Sequence, residues 1–569
     1  ILSKMKLKFK KYIFLLFLLN TLNLISQEEK QNNVIPLNLP LKLSGNFGEI
    51  RGSHFHAGID IKTNGKEGYK IKSILSGYIS RISISTNGYG KAIYIDHPNG
   101  TTSVYAHLKK FSKKIEEIIK KYQYKNQKYE IQKFFKKDEI KIEKEEFIGY
   151  SGNTGGSSGP HLHFEIRDQK NQNPINPLNF GYKIIDSREP TINNLFIYSL
   201  EENEVFENGQ KNKVLKLKKI NDSLYESKEI ELGGKFGLGI QSFDRHDLSY
   251  NRNGVYKTIL KVNDKEVFEI VFDKFSFNDS KYINYLIDYL AYREKRIKIT
   301  KLFLNEIPEF SFLNQKVKNG RLHFEEGKNY DIKIELFDYN NNSSSIKFKI
   351  KGIAKSTYSS MPFKGFLINK DEKRNFIFNN KEVTFFRNSF YENKILDIIN
   401  KPDTLFINNN ESPLNKQIKI KFNIPLKDSL SNQIGVGLIN SSKKLIFIPG
   451  VKEDGGITIR SKSFGKYVLT KDSIKPTVNS FGFKKGDWMT NKDFLKFKVD
   501  DDFSGVKFYN GFINKKWILL EYEPKNKTLK YDFKDHEFKE AELNVEIKIE
   551  DFAGNKNNYS TKIFRKPSL

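Results

Sequence analysis

At 569 residues the chain is too long for one hydrophobic core, and at roughly 100–200 residues per domain it reads as about three to five domains. Its formal charge of +29 is spread along the sequence, with 97 Lys and Arg interleaved among 68 Asp and Glu instead of gathered in a tail, which argues against nucleic acid as a specific partner. The absence of cysteine excludes disulfides and a lipid-modified cysteine, so stability must come from the cores.

Residues 1–27 read as a signal peptide. After a candidate start at Met5, Lys6, Lys8, Lys10 and Lys11 precede the apolar YIFLLFLL, and a polar stretch runs to Gln27. The apolar run is shorter than the roughly 20 residues of a membrane helix. The expectation is a secreted chain, placed in the periplasm or cell envelope, with no stable transmembrane segment after signal removal.

Residues 28–190 form the first predicted folded unit. Pro36 and Pro40 divide a lead-in, and from Gly45 short alternating strands are separated by turns at Gly77, Asn87-Gly88 and Asn99-Gly100. Strands joined so tightly predict an antiparallel sheet. At KKFSKKIEEIIKKYQ the period changes, with Phe111, Ile115, Ile118 and Ile119 at helical spacing, predicting a helical insertion over 109–140. The sheet resumes at EFIGYSGNTGGSSGPHLHFEIR and stops at the Asn-Pro pairs of 173–178.

Histidine becomes rare after DSREPTI, and alternating strands dominate. Three further units are predicted at 191–355, 356–475 and 476–569, each a β-sandwich, the last immunoglobulin-like. INYLIDYLAYREKRI, beginning at Ile283, reads as a short helix or an irregular insertion. An imperfect repeat supports this division: SFDRHDLSYNRNGVYKTIL from Ser242 resembles VDDDFSGVKFYNGF from Val499, and ELFDYNNNSSSIKFKI from Glu335 resembles KIEDFAGNKNNYSTKIF from Lys548. The DxxSG and DFAGN turns carry carboxylates of the kind calcium takes, but an Asp at a turn more often caps its own backbone, and that reading is preferred.

Chemistry concentrates in three segments of the first unit: HFHAGID (54–60), YAHL (105–108) and GPHLHFE (159–165). On an extended strand His161 and His163 share a face, and His56 and Asp60, four apart, can meet across a bend at a strand end. Two imidazoles and a carboxylate make a three-ligand set for catalytic zinc, leaving a fourth position for water. His54 is a competing ligand candidate two residues before His56. His97 lies in a turn, where it is expected to be exposed or capping, and His246, His323 and His536 are isolated and receive no role. SGNTGGSSGP lacks the Gly-Lys-Ser/Thr ending of a phosphate-binding loop; its glycines are expected to let backbone approach an extended peptide. Pocket contacts are expected from 45–53, 86–91 and 149–158, with Tyr105 either lining the groove or packing.

These segments resemble the lysostaphin-type zinc metallopeptidases, a family of peptidoglycan endopeptidases, over roughly residues 40–185: HAGID for its HxxxD motif, HLH for its HxH, the separate YAHL, and the glycine-rich approach to HLH. The resemblance is to envelope members with accessory β domains and an insertion after YAHL. It implies zinc held by His56, Asp60 and His163, with His107 and His161 as catalytic residues. His161 would be the principal base toward a zinc-activated water nucleophile, and His107, with His161, would donate to the developing oxyanion. Glu165 would hold a ligand imidazole's free N–H. The implied substrate is the peptide stems and crosslinks of peptidoglycan, with envelope proteins as further partners. The alternative is a non-enzymatic peptidoglycan-binding protein or an activator of another cell-wall hydrolase.

Overall fold

The computed structural model describes residues 34–200, 204–205, 212–304, 310–313, 319–354, 359–360, 365–408, 412–425, 433–440, 443–453 and 455–567. The expected signal peptide lies outside the described residues, among which no helix is long and apolar enough to cross a membrane.

The first unit is built from β1 (Leu43–Gly45), β2 (Ile59–Lys62), β3 (Lys70–Lys72), β4 (Gly77–Ile84), β5 (Lys91–Asp96), β6 (Thr101–Ala106), β7 (Lys110–Phe111), α1 (Lys113–Asn126), β8 (Ile131–Phe134), β9 (Lys141–Ile142), β10 (Phe147–Tyr150), β11 (His161–Asp168) and β12 (Pro174–Ile175). The main sheet runs β1-β2-β11-β6-β5-β4-β8, with β12 beside β11 and β9 beside β4. Its pairings are antiparallel, as the tight turns predict. A small sheet, β3-β10-β7, lies against it. Ile59, Ile61, Ile79, Ile82, Ile93, Ile95, Leu162, Phe164 and Ile166 supply one continuous core, leaving the opposite face of β2, β6 and β11 for polar side chains.

Within the predicted insertion, α1 begins later than the periodicity suggests, because Lys110 and Phe111 pair with Tyr150 and Gly149 on β10 before the helix starts. Ile115 and Ile119 face the core, and Gln127 ends the helix in the left-handed conformation at φ 48°. The rest of the insertion returns to strand, with β8 pairing β4.

Downstream, alternation builds sheets as expected. In Asn329–Phe337, Ile332, Ile334 and Leu336 are buried between partly exposed Lys333 and Glu335; in Glu542–Asp551, Leu543, Val545, Ile547 and Ile549 do the same. The residues between 191 and 352 contribute two sheets around one core. One of these sheets departs from a purely antiparallel sandwich, since Leu224–Ser227 and Ile230–Leu232 both pair in parallel with Ser343–Gly352. Ile283–Leu286 and Tyr289–Lys295 form two short helices there. A second core gathers residues between 368 and 467, and a third, between 478 and 563, is enclosed by two four-stranded sheets.

The units are interlocked. Phe47, Phe55 and Ala57 of the first unit belong to the same core as Leu238, Phe268 and Ile334 of the next. The C-terminal unit folds back onto the first: Lys91 pairs with Glu521 at 3.0 Å, Lys120 with Asp535, and Tyr124 donates to Asp535 at 3.0 Å while its ring packs on Trp517.

Candidate metal centre

The centre forms where β11, β2 and β6 lie side by side. His163 stands opposite Asp60 on β2 and opposite Ala106 on β6, which delivers His107 at the end of that strand. His56 arrives from the hairpin preceding β2, which is closed by reciprocal backbone bonds of 2.9 Å, His56 N to Glu49 O and Gly48 N to His56 O. Gly58, in the bend between His56 and Asp60, runs so close to β11 that an added Cβ would lie 2.2 Å from the Phe164 carbonyl oxygen. The glycine of HAGID therefore lets the bend lie against the strand carrying His163.

Three candidate ligand atoms converge. His56 Nε2 lies 3.0 Å from Asp60 Oδ1 and 3.0 Å from His163 Nδ1, and His163 Nδ1 lies 2.9 Å from Asp60 Oδ1. His161 Nε2 approaches the same oxygen at 3.3 Å. The His107 ring sits 4.8 Å from the His161 ring and 5.8 Å from that of His163. All five residues singled out in the sequence thus meet in one place. His54 stays exposed, beside Ser53, and Tyr105 is fully buried, its hydroxyl accepting from Ile74 N, so it packs and does not line a groove.

The partners of each imidazole's other nitrogen assign the tautomers. His56 Nδ1–H donates to the Asn46 carbonyl at 2.7 Å, His163 Nε2–H to Glu165 at 2.7 Å, His161 Nδ1–H to the Gly159 carbonyl at 2.8 Å and His107 Nδ1–H to the Thr154 carbonyl at 2.8 Å. In their neutral forms all four therefore turn a lone pair inward. Two such lone pairs and a carboxylate oxygen about 3 Å apart, with no proton among them, repel one another unless a cation lies between. Tetrahedral zinc, with ligand distances of about 2.0–2.2 Å, sets its ligand atoms about 3.3 Å apart. The donor set fits that ion in type and in spacing.

Electrostatics lead to the same conclusion. Burial opposes charge on Asp60, but His56 and the imidazole contacts hold its carboxyl well below the usual range. Burial likewise opposes a charged His163, yet Asp60 and Glu165 raise it to about 9. Where no metal is bound, a proton is drawn into the triangle. His107 moves the other way: burial, then His163 and His161, push it down to about 3 and keep it neutral. Its backbone adopts φ 59°, a left-handed value that a non-glycine residue rarely takes and that turns the chain out of β6 at this point.

Glu165 is joined by supporting residues that the sequence reading did not single out. Arg51 Nη2 donates to Asp60 Oδ2 at 3.0 Å and pairs with Glu49 at 3.1 Å, leaving Oδ1 for the centre. Glu165, fully buried, accepts from Tyr89 OH and Arg167 Nε, each at 2.5 Å. Arg167 was legible, since 161, 163, 165 and 167 share a strand face; Arg51 and Tyr89 come from loops whose approach no periodicity encodes.

The surrounding loops are occupied by neighbouring units. In 45–53, Asn46 donates to the Gly254 carbonyl at 2.6 Å and Glu49 pairs with Lys298 at 3.4 Å. In the glycine-rich loop, Lys525 of the C-terminal unit donates to the Asn153 carbonyl and, at 3.1 Å, to that of Ser157, whose hydroxyl lies 3.1 Å from His161 Nδ1.

The family model of Peptidase family M23 matches residues 54–124 and 119–177. The "DD-carboxypeptidase/endopeptidase Mpg" of Neisseria meningitidis serogroup B is 30% identical over 159 residues, 27% of this chain and 30% of that protein. An "uncharacterized metalloprotease" of Haemophilus influenzae is 28% identical over 123 residues, 22% of this chain and 20% of its own length. The match therefore spans less than a third of these curated relatives. Among solved structures, the catalytic domain of lysostaphin from Staphylococcus simulans is 24% identical, with 25% of this chain and 91% of that one covered at a TM-score of 0.19.

Proposed function

We propose, from the match of the peptidase family M23 model to residues 54–124 and 119–177, that the chain is a secreted zinc endopeptidase of the bacterial envelope that hydrolyses peptide crosslinks in peptidoglycan. The observation that carries this reading is the convergence of His56 Nε2, Asp60 Oδ1 and His163 Nδ1, all inward-facing and unprotonated in their neutral tautomers. The family match and the Neisseria relative's printed activity support the substrate class.

Zinc bound there would polarise the scissile carbonyl and lower the pKa of a water molecule toward 7. Around it, the chain's own residues move the protons. His161 is anchored through Nδ1 to Gly159, and its Nε2 is the inward lone pair that accepts the water's proton. His107 is anchored in the same sense through Thr154. With its proton on Nδ1, its Nε2 donates to a developing oxyanion only after being protonated, so the donor role passes to whichever imidazole has taken the proton. Glu165 and Asn46 fix the rings of His163 and His56.

The test joins metal analysis of the purified chain to mass spectrometry of peptide ends released from purified sacculi. His56→Ala and His163→Ala are expected to lose both zinc and product; His161→Ala is expected to keep zinc and lose turnover by about 100-fold or more. Normal turnover by zinc-loaded His161→Ala would falsify its assignment as the base.

A further inference from the structure

Two clusters far along the chain from the histidine centre share one construction. In one, Asp186, Asp244 and His246 offer ligand atoms within 4.8 Å of one another, and the Asp338 carboxyl lies within hydrogen-bond reach of Asp186. In the other, Asp472, Asp501 and Asp551 meet the same limit. Asp186 and Asp472 lie in the segments leading into their units, and each accepts through Oδ1 from the N–H two residues on, Arg188 and Ile474, at 3.2 Å. Asp338 and Asp551 stand at the ends of long strands, and each accepts through Oδ1 from the N–H four residues on, Asn342 and Asn555, at 2.8 Å. Those asparagines donate back to Oδ2 at 2.6 and 2.7 Å, and to the main-chain oxygens of Asp186 and Asp472 at 3.1 and 3.0 Å. Asp244 and Asp501 come from the intervening turns. The repeat seen in the sequence is thus a repeat of one arrangement of aspartates, with His246 completing the first group of close ligand atoms and Asp551 the second.

Turn capping accounts for five of these six aspartates, Asp501 included, since its Oδ2 accepts from the Phe503 N–H at 3.3 Å and the Gly505 N–H at 2.6 Å. Among the described residues it still leaves Asp244 Oδ1 and Asp501 Oδ1 enclosed and without a hydrogen-bond partner. Asp244 as a whole is only 1% exposed. The positive groups in reach are few: His246 Nε2 lies 3.4 Å from Asp244 Oδ2, and Lys452 is felt at Asp551. Burial and then the Asp244 charge raise Asp186 to about 7, and burial together with Asp472 and Asp551 raises Asp501. Such crowding is relieved either by shared protons or by a cation.

We propose that these clusters are two binding sites for a hard divalent cation of the calcium class, one at Asp186, Asp244 and His246 with Asp338 adjoining, the other at Asp472, Asp501 and Asp551. Calcium suits them because it takes many oxygen ligands in flexible geometry, whereas magnesium requires a tighter octahedron. Each ion ties the leading segment of a unit to its turn and to its long strand. At Asp186 this fixes the joint between the histidine-bearing unit and the unit whose core receives Phe55. The assignment does not depend on the peptidase reading.

The test uses the full chain, stripped with chelator, reloaded with about one equivalent of zinc and dialysed against radiolabelled calcium at neutral pH. About two equivalents are expected, with a rise in melting temperature. Asp244→Asn and Asp501→Asn should each remove about one equivalent at unchanged zinc content. No calcium retained at millimolar concentration together with an unchanged melt overturns the proposal, as does uptake that neither variant reduces. If a variant fails to fold, the wild-type stoichiometry and melt decide.

Discussion

Glu165 shows how one buried carboxylate orients a candidate ligand. Held to about 2, with burial opposing and Arg167 and His163 lowering it, Glu165 accepts the His163 Nε2–H and so leaves Nδ1 as the inward nitrogen. Glu165→Gln is expected to weaken zinc binding by about 10–100-fold, measured by competition with a chromophoric chelator. The same titration should depend on pH. Metal-free His163 holds its proton up to about 9, so below that value zinc must displace a proton, and apparent affinity should rise as pH climbs toward it. A pH-independent affinity between pH 6 and 8 would contradict the proton-filled triangle.

At the scale of elements, the hairpin that carries His56 is the most dependent part of the centre. Its Phe55 is 1% exposed and packs against Phe272, Phe275 and Phe312 of the following unit at ring distances of 5.7, 5.7 and 5.0 Å. Phe55→Ala should cost about 3–5 kcal/mol, read by denaturant unfolding. It should also lower zinc content, because the hairpin loses the packing that aims His56. A variant that loses stability but keeps full zinc affinity would show that the reciprocal bonds to Glu49 and Gly48 hold His56 unaided. The insertion carries a similar lesson. The stretch 109–140 reads in sequence as a helical insertion, and Lys120 and Tyr124 of its helix α1 are taken up by the C-terminal unit, a docking role that leaves less of the helix for substrate.

For the whole molecule, the return of the C-terminal unit rests on buried charge. Lys91 is 4% exposed and pairs with Glu521, which also meets Lys530 at 3.0 Å. Burial opposes charge on Glu521, but Lys91 and Lys530 hold it at about 2, below its ordinary 4.5. A depressed carboxyl stabilises the docked form fully above the ordinary value and loses that contribution as pH falls from about 4.5 toward about 2. Acid should therefore loosen the C-terminal unit, and Glu521→Gln should loosen it at neutral pH. Limited proteolysis in the connecting stretch 472–476 reports both; equal protection of wild type and variant at neutral pH would rule the pair out as a determinant of docking.

The sequence alone determined the chemistry and the class of fold. Period-two alternation marks the strands, and the HxxxD, YAHL and HLH segments name the five residues that converge, because residue type and strand spacing are local properties of the chain. Alternation could not tell antiparallel from parallel neighbours, so the two parallel pairings with Ser343–Gly352 were not foreseen. Nor could any local pattern reveal contacts between residues hundreds of positions apart: Arg51 on Asp60, Phe55 in the next unit's core, Lys525 on the glycine-rich loop, or His246, isolated in sequence, among aspartates. Those were decided by tertiary structure, since buried apolar surface and buried charge are satisfied by whichever partner the folded chain brings within reach, and distance along the sequence does not specify that partner.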